Sequence, residues 1–207
     1  MTVIAIDGPA GSGKSTVARA VAQRLGLAYL DTGAMYRSVA LAALEKGVDP
    51  MDQDATAGLA RSVHVYVGPD GVFVDGNDVT EAIRTEDVTK AVTAVASNPR
   101  VREVMVERQR TWITNNGGGV LEGRDIGTVV CPDADVKVYL VADPNTRAER
   151  RAAEQNDAVA HDMARRDQAD STRAVSPLMR ADDAAEIDTT DLSIDEVVDL
   201  VIGLVGQ

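Results

Sequence analysis

The segment with the clearest chemistry is Gly8–Ser15, which matches the pattern G-x-x-x-x-G-K-S. Its glycines allow consecutive backbone N–H groups to point into one concavity, and a helix that begins after such a loop adds its positive N-terminal end. Lys14 would place a positive charge on the β- and γ-phosphates of a nucleotide, and the Ser15 hydroxyl would coordinate Mg²⁺. The segment therefore predicts a loop that binds a nucleoside triphosphate.

The predicted triphosphate site includes the whole loop and the threonine that follows it. Its residues are Gly8, Pro9, Ala10, Gly11, Ser12, Gly13, Lys14, Ser15 and Thr16. The loop does not identify the group that receives the γ-phosphate: water would indicate a nucleoside triphosphatase, and a second small molecule would indicate a kinase. The chain contains no N-K-x-D motif for reading guanine, which disfavours a GTPase.

A kinase would need a second site for an anionic acceptor, and arginines occur in three segments that could provide one. Arginine suits this task because its planar guanidinium holds phosphate oxygens in pairs. The segments are Asp31–Arg37 after the second predicted strand, Ser97–Arg102 before a predicted helix, and Glu122–Thr128 after the third predicted strand. In the last one, Arg124 and Asp125 are adjacent. Glu122 could also reach Mg²⁺ through water, although an ordinary loop carboxylate is an equal alternative.

Two further groups of basic residues have helical spacing. The first is Arg147, Arg150 and Arg151, and the second is Arg166, Asp170 and Arg173. Spacings of three, four and seven residues place each group on one face of a helix. Either group alone is typical of a solvated face with ion pairs. Together with a phosphate-binding loop they indicate a lid that neutralises charge on the transferring phosphates.

The elements that must position these residues alternate between strands and helices. A strand is predicted over Val3–Ile6, a helix over Ser15–Leu25 closed by Gly26, a strand over Leu27–Leu30, and a helix from Asp31 to about Lys46. The period-two segment Val63–Gly76 then predicts an antiparallel hairpin that turns at Pro69-Asp70-Gly71. Helical periodicity resumes near Thr85 and over Pro99–Ile113.

The second half of the chain returns to the alternation. Strands are predicted over Val120–Glu122, Val136–Val141 and Glu186–Asp188, with a helix that begins at Asp143-Pro144. Ser193 and Glu196 have the spacing of a capping box before the last helix. The pattern predicts a doubly wound α/β fold with five parallel strands, whose ligands bind at the carboxyl ends of the strands.

We expect a single P-loop domain over residues 1–207, an inserted antiparallel subdomain over about 50–90, and a helical lid region over 145–173. Composition excludes several other classes of protein. The formal charge of −12 disfavours general binding of nucleic acid, whose backbone is also negatively charged. The single cysteine, Cys131, allows neither an internal disulfide nor a cysteine-based metal site. The chain has no run of about 18 consecutive apolar residues, so we expect no membrane-spanning helix. With no leader pattern, we expect a cytoplasmic monomer that acts on small molecules.

Five segments in order resemble the bacterial cytidylate kinases: IAIDGPAGSGKST, LDTGAMYR, NPRVRE, LEGRDIGTVV and RDQADSTRAVSPL. The resemblance covers nearly the whole chain, including the inserted hairpin. It implies the fold of a P-loop nucleoside monophosphate kinase, in which the inserted subdomain binds the acceptor. It also implies transfer of phosphate from ATP, with Mg²⁺, to CMP or dCMP in pyrimidine nucleotide metabolism.

The resemblance also implies roles for individual residues. Arg37, Arg124 and Arg173 would hold the monophosphate, Arg102 and Asp125 would read cytosine, and Arg166 and Asp170 would contact the sugar hydroxyls. Thr32 and Thr93 stand where the family often has serine, and Arg150 matches the lid arginine near the ATP phosphates. Lys14, Arg124, Arg150 and Arg173 are the expected catalytic residues, as electrostatic stabilisers without a general base.

The sequence departs from the family in two ways: the segment between Arg151 and Arg165 is short, and threonine replaces serine at positions 32 and 93. Two alternatives stay open. One is a P-loop kinase for adenylate, uridylate or shikimate, because only the Arg102/Asp125 pair and the hairpin favour cytosine. The other is a nucleotide-dependent switch, which would bind nucleotide without making a phosphorylated product.

Overall fold

The structure is a computed structural model that describes residues 1–154, 165 and 167–206 of the 207-residue chain. The chain divides into two compact units. One comprises Met1–Tyr29 and Ile113–Gln207 and is here called the sheet unit. The other, Leu30–Trp112, is called the helical unit, and the predicted subdomain over 50–90 lies within it.

The protein contains a five-stranded parallel sheet, as the sequence predicts, and four of its strands lie wholly within the sheet unit. Its strands are β1 (Thr2–Asp7), β2 (Tyr29–Asp31), β6 (Gly118–Gly123), β7 (Val136–Val141) and β8 (Ala185–Asp188). Their order across the sheet is β2-β6-β1-β7-β8. The chain thus winds to one side of β1 and then to the other, so the carboxyl end of β1 is the switch point where ligands bind in such folds.

The strands are apolar because both faces of the sheet are covered. Every residue of β1 after Thr2 is buried, and its side chains do not alternate between apolar and polar as they would in a sheet with one wet face. Ile4 and Ile6 pack in one apolar cluster with Val21 and Val201. In register, Asp7 lies beside Gly123 of β6 and Tyr139 of β7, so β1 and β6 end at the same level of the sheet.

Three helices of the sheet unit begin within a residue of the predicted positions. They are α1 (Lys14–Leu25), α6 (Pro144–Glu154) and α7 (Ile194–Gly203). The predicted capping box is confirmed: the Ser193 side chain accepts from the Glu196 N–H, and the Glu196 carboxylate accepts from the Ser193 N–H. Residues 167–171 are also helical.

The helical unit consists of α2 (Thr32–Glu45), α3 (Gln53–Ser62), α4 (Glu86–Ser97) and most of α5 (Pro99–Asn116), with the strands β3 (Val65–Gly68), β4 (Gly71–Val74) and β5 (Asn77–Asp78). A 3₁₀ turn, Ala82–Arg84, precedes α4. The hairpin is confirmed, since β3 and β4 pair antiparallel around residues 69 and 70. Helix α3 was not predicted; the Asp52 side chain caps it by accepting from Asp54 and Ala55 N–H. Among the described residues, no helix has both the length and the hydropathy to cross a bilayer.

Candidate active site

The loop between β1 and α1 needs glycine where neighbouring backbone approaches it. Gly8 has φ +149° and Gly11 φ +74°, both in the region that favours glycine. A Cβ at Gly8 would lie 2.2 Å from the Leu140 carbonyl oxygen, and one at Gly11 would lie 2.7 Å from the Arg147 carbonyl oxygen. The loop is therefore shaped by contact with β7 and α6, in addition to its own turn geometry.

Lys14 is buried beneath this loop. Its Nζ donates to the Pro9 carbonyl oxygen at 2.6 Å and lies 3.5 Å from Ser12 Oγ. Burial, and then the positive charge of Arg124, lower the pKa of Lys14 to about 7. A phosphate placed in the loop would oppose both effects, so the site favours an anionic ligand.

Ser15 and Glu122 provide the oxygen atoms that a magnesium ion would require. Ser15 Oγ donates to Glu122 Oε2 at 2.9 Å, and the Tyr29 hydroxyl donates to Glu122 Oε1. Mg²⁺ is usually held by one or two protein oxygens, with waters and substrate phosphates completing an octahedron. This pair fits that requirement. Within the described part of the chain, no group of three His, Cys, Asp or Glu side chains could form a larger cage.

Arg150 is fixed beside the loop by the residue that follows β8. Its Nη1 donates to Thr189 Oγ1 at 2.9 Å and its Nη2 to the Thr189 carbonyl oxygen at 2.7 Å. A cavity of about 300 Å³ lies between this arginine, the loop around Gly13 and the start of α7 near Ile194. Cavities from about 300 Å³ upward accommodate small ligands.

The backbone of Ala10 binds two residues of the predicted lid region, Arg147 and Asp167. Its N–H donates to Asp167 Oδ1 at 3.0 Å, and its carbonyl oxygen accepts from Arg147 Nη1 at 3.0 Å. Arg147 and Asp167 also form an ion pair with each other. Arg147 and Arg150 therefore share α6 as predicted, but both bind the region of the loop and do not form a solvated face.

Arg124, Asp170 and Arg173 lie together at the end of β6. The Asp170 carboxylate accepts from Arg124 Nε at 3.0 Å and pairs with Arg173 Nη1 at 3.5 Å. The prediction that Arg173 shares a helical face with Asp170 is wrong, because the helix ends at residue 171. The Leu178 N–H instead donates to the Asp170 carbonyl oxygen and closes a loop that contains Arg173.

Asp125 begins the turn of π-helix that follows β6, Ile126–Val130. Its carbonyl oxygen accepts from the N–H groups of Val129 and Val130 at 2.9 and 3.2 Å, and the Asp125 side chain is buried. Such wide turns are rare and are concentrated at functional sites. Arg124 and Asp125 thus lie between the end of β6 and this hydrogen-bonded turn.

In the helical unit, Thr32 and Arg37 belong to α2. The Asp31 side chain caps this helix by accepting from the Ala34 N–H at 2.9 Å, and Thr32 is buried in its first turn. Arg37 Nη1 donates to the Ile83 carbonyl oxygen at 3.2 Å and to Thr89 Oγ1 at 3.0 Å. Helices α2 and α4 pack together, and these bonds set the direction of the Arg37 side chain.

Arg102 of α5 is buried, with its guanidinium 5.2 Å from the centre of the Tyr36 ring and its Nη1 donating to the Ala96 carbonyl oxygen at 3.1 Å. Thr93, also expected at the acceptor, lies half-buried on α4. Arg166 lies outside the described residues.

Several side chains of the site have no counterpart among the predicted residues. They are Asp7, Tyr29, Asp167 and Thr189. Asp7 carries one sequence signal, since a carboxylate that ends an otherwise apolar strand is a costly choice for a buried position. The other three are recognisable only from their partners, which lie 20 or more residues away along the chain.

These features define a P-loop nucleotide-binding fold with a second cluster of arginines at the same end of its sheet. A sequence model of the cytidylate kinase family matches residues 4–207, and the chain belongs to that family. It is therefore an enzyme, a nucleoside monophosphate kinase.

Two relatives named cytidylate kinase illustrate the similarity. One from Rhodococcus opacus (strain B4) is 50% identical over 99% of this chain and 95% of its own length. One from Geobacillus sp. (strain WCH70) is 49% identical over 99% and 96%. An uncharacterized protein from Eubacterium ventriosum ATCC 27560, with a solved structure, matches 98% of this chain and 96% of its own with a TM-score of 0.54 and 14% identity. That likeness shows the fold alone.

Proposed function

We propose that the protein transfers the γ-phosphoryl group of ATP to CMP or dCMP, giving CDP or dCDP and ADP. The observation that carries this proposal beyond nucleotide binding is the cluster of Arg124, Asp170 and Arg173. Both arginines lie mostly buried around one carboxylate, in the same unit as the phosphate-binding loop. A protein that only hydrolysed nucleotide would have no use for a second anion site built in this way.

The donor nucleotide would bind along the loop, with Lys14 and the loop N–H groups on its β- and γ-phosphates. The cavity beside Gly13 would receive its base, and Arg150, held by Thr189, would lie next to it. Ser15 and Glu122 would hold Mg²⁺, directly or through water. The ion would neutralise charge on the phosphates when it is bound.

The acceptor would use the residues that the family resemblance implies. Arg37, Arg124 and Arg173 would hold its phosphate, and Asp170 and Arg166 its sugar hydroxyls, with Thr32 and Thr93 as further hydroxyl contacts. Asp125 would accept from the N4 amino group of cytosine, and Arg102 would donate to N3 and O2. Uracil has O4 and N3–H at those places, so it would leave buried groups unpaired at a cost of about 1–3 kcal/mol each.

The chemical step needs charge stabilisation more than proton transfer. The phosphate of a nucleoside monophosphate is already an anion at neutral pH, so the acceptor oxygen needs no strong base. Lys14, Arg124, Arg150 and Arg173 would neutralise the charge that spreads over the transferring group. The protein contributes fixed positions for these cations, since each makes bonds in the sheet unit before any substrate binds.

ADP release from ATP and Mg²⁺ tests the proposal when it is measured with CMP, dCMP, UMP, AMP, shikimate or no acceptor. We expect rapid turnover with CMP and dCMP, with kcat/KM for UMP lower by about a hundredfold or more, on the order of two unpaired buried groups. Equal ADP release without any acceptor would mean a nucleoside triphosphatase or switch. Turnover confined to another acceptor would mean a different kinase.

A further inference from the structure

Asp7 is a buried carboxylate that the reaction described above does not use. It is the last residue of β1, is 4% exposed, and lies one position before the phosphate-binding loop. Its two oxygens do not face that loop's N–H groups. Oδ1 accepts from the Ile126 N–H at 2.9 Å, and Oδ2 accepts from the Gly127 N–H at 2.8 Å. One carboxylate thus binds two consecutive backbone N–H groups more than 100 residues away along the chain.

Those two N–H groups open the π-helical turn that follows Arg124 and Asp125. The first N–H groups of any helical turn have no acceptor within the turn and must be satisfied from outside. Further along, the Asp125 carbonyl oxygen accepts from Val129 N–H and the Ile126 carbonyl oxygen from Cys131 N–H. The start of the turn therefore depends on Asp7, whereas its end is bonded internally.

A carboxylate is the only side chain of this size that can satisfy both donors. Asparagine has one acceptor oxygen, and its amide nitrogen is itself a donor, so one of the two N–H groups would face another donor. Glutamate would place its carboxylate one methylene further from the strand, whereas the Asp7 carboxylate already lies 2.9 and 2.8 Å from the two N–H nitrogens. The strand fixes the other end of the contact, since Asp7 is paired in register with Gly123.

We propose that Asp7 is a positioning residue for the acceptor nucleotide, because its carboxylate holds the turn that presents Arg124 and Asp125. The inference rests on the proposed function, since it assigns Asp7 an effect on the acceptor through those two residues. Its effect on the donor is small by comparison, because the loop around Ala10 has its own bonds to Arg147 and Asp167.

Steady-state kinetics of Asp7→Asn test the proposal, with KM and kcat measured separately for CMP and for ATP. We expect kcat/KM for CMP to fall about 10- to 100-fold, as for other residues that orient a binding group, and KM for ATP to change less than about twofold. The matched control is Asp135→Asn, which removes a carboxylate that accepts from the Val3 N–H at the opposite end of β1. We expect Asp135→Asn to leave KM and kcat unchanged for both CMP and ATP.

A double-mutant cycle separates positioning from a general structural effect. If Asp7 acts through Asp125, adding Asp7→Asn to Asp125→Ala lowers kcat/KM for CMP by less than about threefold further, because coupled positions are not additive. Wild-type constants in Asp7→Asn overturn the proposal, and so does a full additional loss in both the Asp125→Ala and the Arg124→Ala background.

Hydrogen exchange in the wild-type protein gives a readout that depends neither on the variant folding nor on activity. The amide protons of Ile126 and Gly127 are expected to exchange slowly, as donors to a buried carboxylate. Rapid exchange of either amide overturns the inference. A wild-type protein that ignores CMP but protects both amides would instead refute the proposed function while leaving the carboxylate–turn contact in place.

Discussion

The buried Asp7 carboxylate makes the stability of the protein depend on pH in a defined direction. Burial raises the pKa of Asp7 from its ordinary value of 3.8 to about 6, with a smaller contribution from the negative charge of Asp125. The two N–H bonds from Ile126 and Gly127, and the charge of Lys14, oppose this rise without cancelling it. The folded protein therefore binds the Asp7 proton more tightly than the unfolded chain does.

The size of the effect follows from the two pKa values. Their difference corresponds to about 3 kcal/mol, because each pKa unit is worth about 1.4 kcal/mol. Protonated Asp7 contributes this stability in full below pH 3.8, and the contribution is lost as the pH rises through about 6. Asparagine cannot ionise. The free energy of unfolding of Asp7→Asn, relative to wild type, should therefore increase by up to about 3 kcal/mol between pH 4 and pH 7.5.

Urea unfolding followed by far-UV circular dichroism measures this difference at each pH. Other carboxylates titrate in both proteins and cancel in the comparison. A difference that stays flat across the range would refute the reasoning, since it would mean that Asp7 keeps its ordinary pKa. A variant that is more stable at pH 7.5 and yet poorer with CMP would show that the carboxylate is retained for activity at a cost in stability.

Four further substitutions test three separate contacts of the site. Arg147→Gln and Asp167→Asn should show a coupling of about 1–2 kcal/mol in the free energy of unfolding, because each residue binds the other and Ala10. Thr189→Val should raise KM for ATP about three- to tenfold, because Arg150 loses one of its acceptors. Glu122→Gln should raise the Mg²⁺ concentration needed for half-maximal rate about tenfold, because the carboxylate beside Ser15 loses its charge.

Each of these predictions has its own control or contradiction. Additive losses at Arg147 and Asp167 would mean that the two side chains do not act together. For Thr189, the matched variant is Thr111→Val, an exposed helical threonine whose hydroxyl bonds only to the Glu107 carbonyl among the contacts described; equal effects of the two variants would contradict the role of Thr189. An unchanged Mg²⁺ requirement in Glu122→Gln would remove that residue from the metal site.

The sequence predicted those parts of the fold that local chemistry determines. The strand–loop–helix around Gly8–Ser15, the hairpin turn and the capping box at Ser193 depend on neighbouring residues, and all three were confirmed. Helix α3 (Gln53–Ser62) was missed because it is only ten residues long and contains Gly58, a residue that disfavours helix. Its formation depends on the Asp52 cap and on burial of Leu59 and neighbouring alanines.

Contacts across the site were harder to predict, because they join distant parts of the chain. The bond between Ser15 and Glu122 spans 107 residues, and the bonds from the π-helical turn to Asp7 span 119 and 120. No periodicity in a single segment reports such pairings. For Arg173 a local pattern gave a wrong prediction. Its spacing predicted a continuous helix, but the helix ends before it and a loop supplies the contact with Asp170.

The most direct test of cytosine recognition compares kcat/KM for CMP with kcat/KM for UMP, in wild type and in Asp125→Ala. We expect a wild-type ratio of about a hundredfold or more, and a fall of at least about tenfold in the variant, because the N4 amino group loses its acceptor. If the ratio is the same in both proteins, Asp125 does not read the base. If wild type uses UMP as well as CMP, the protein does not select cytosine, and the proposed function is wrong.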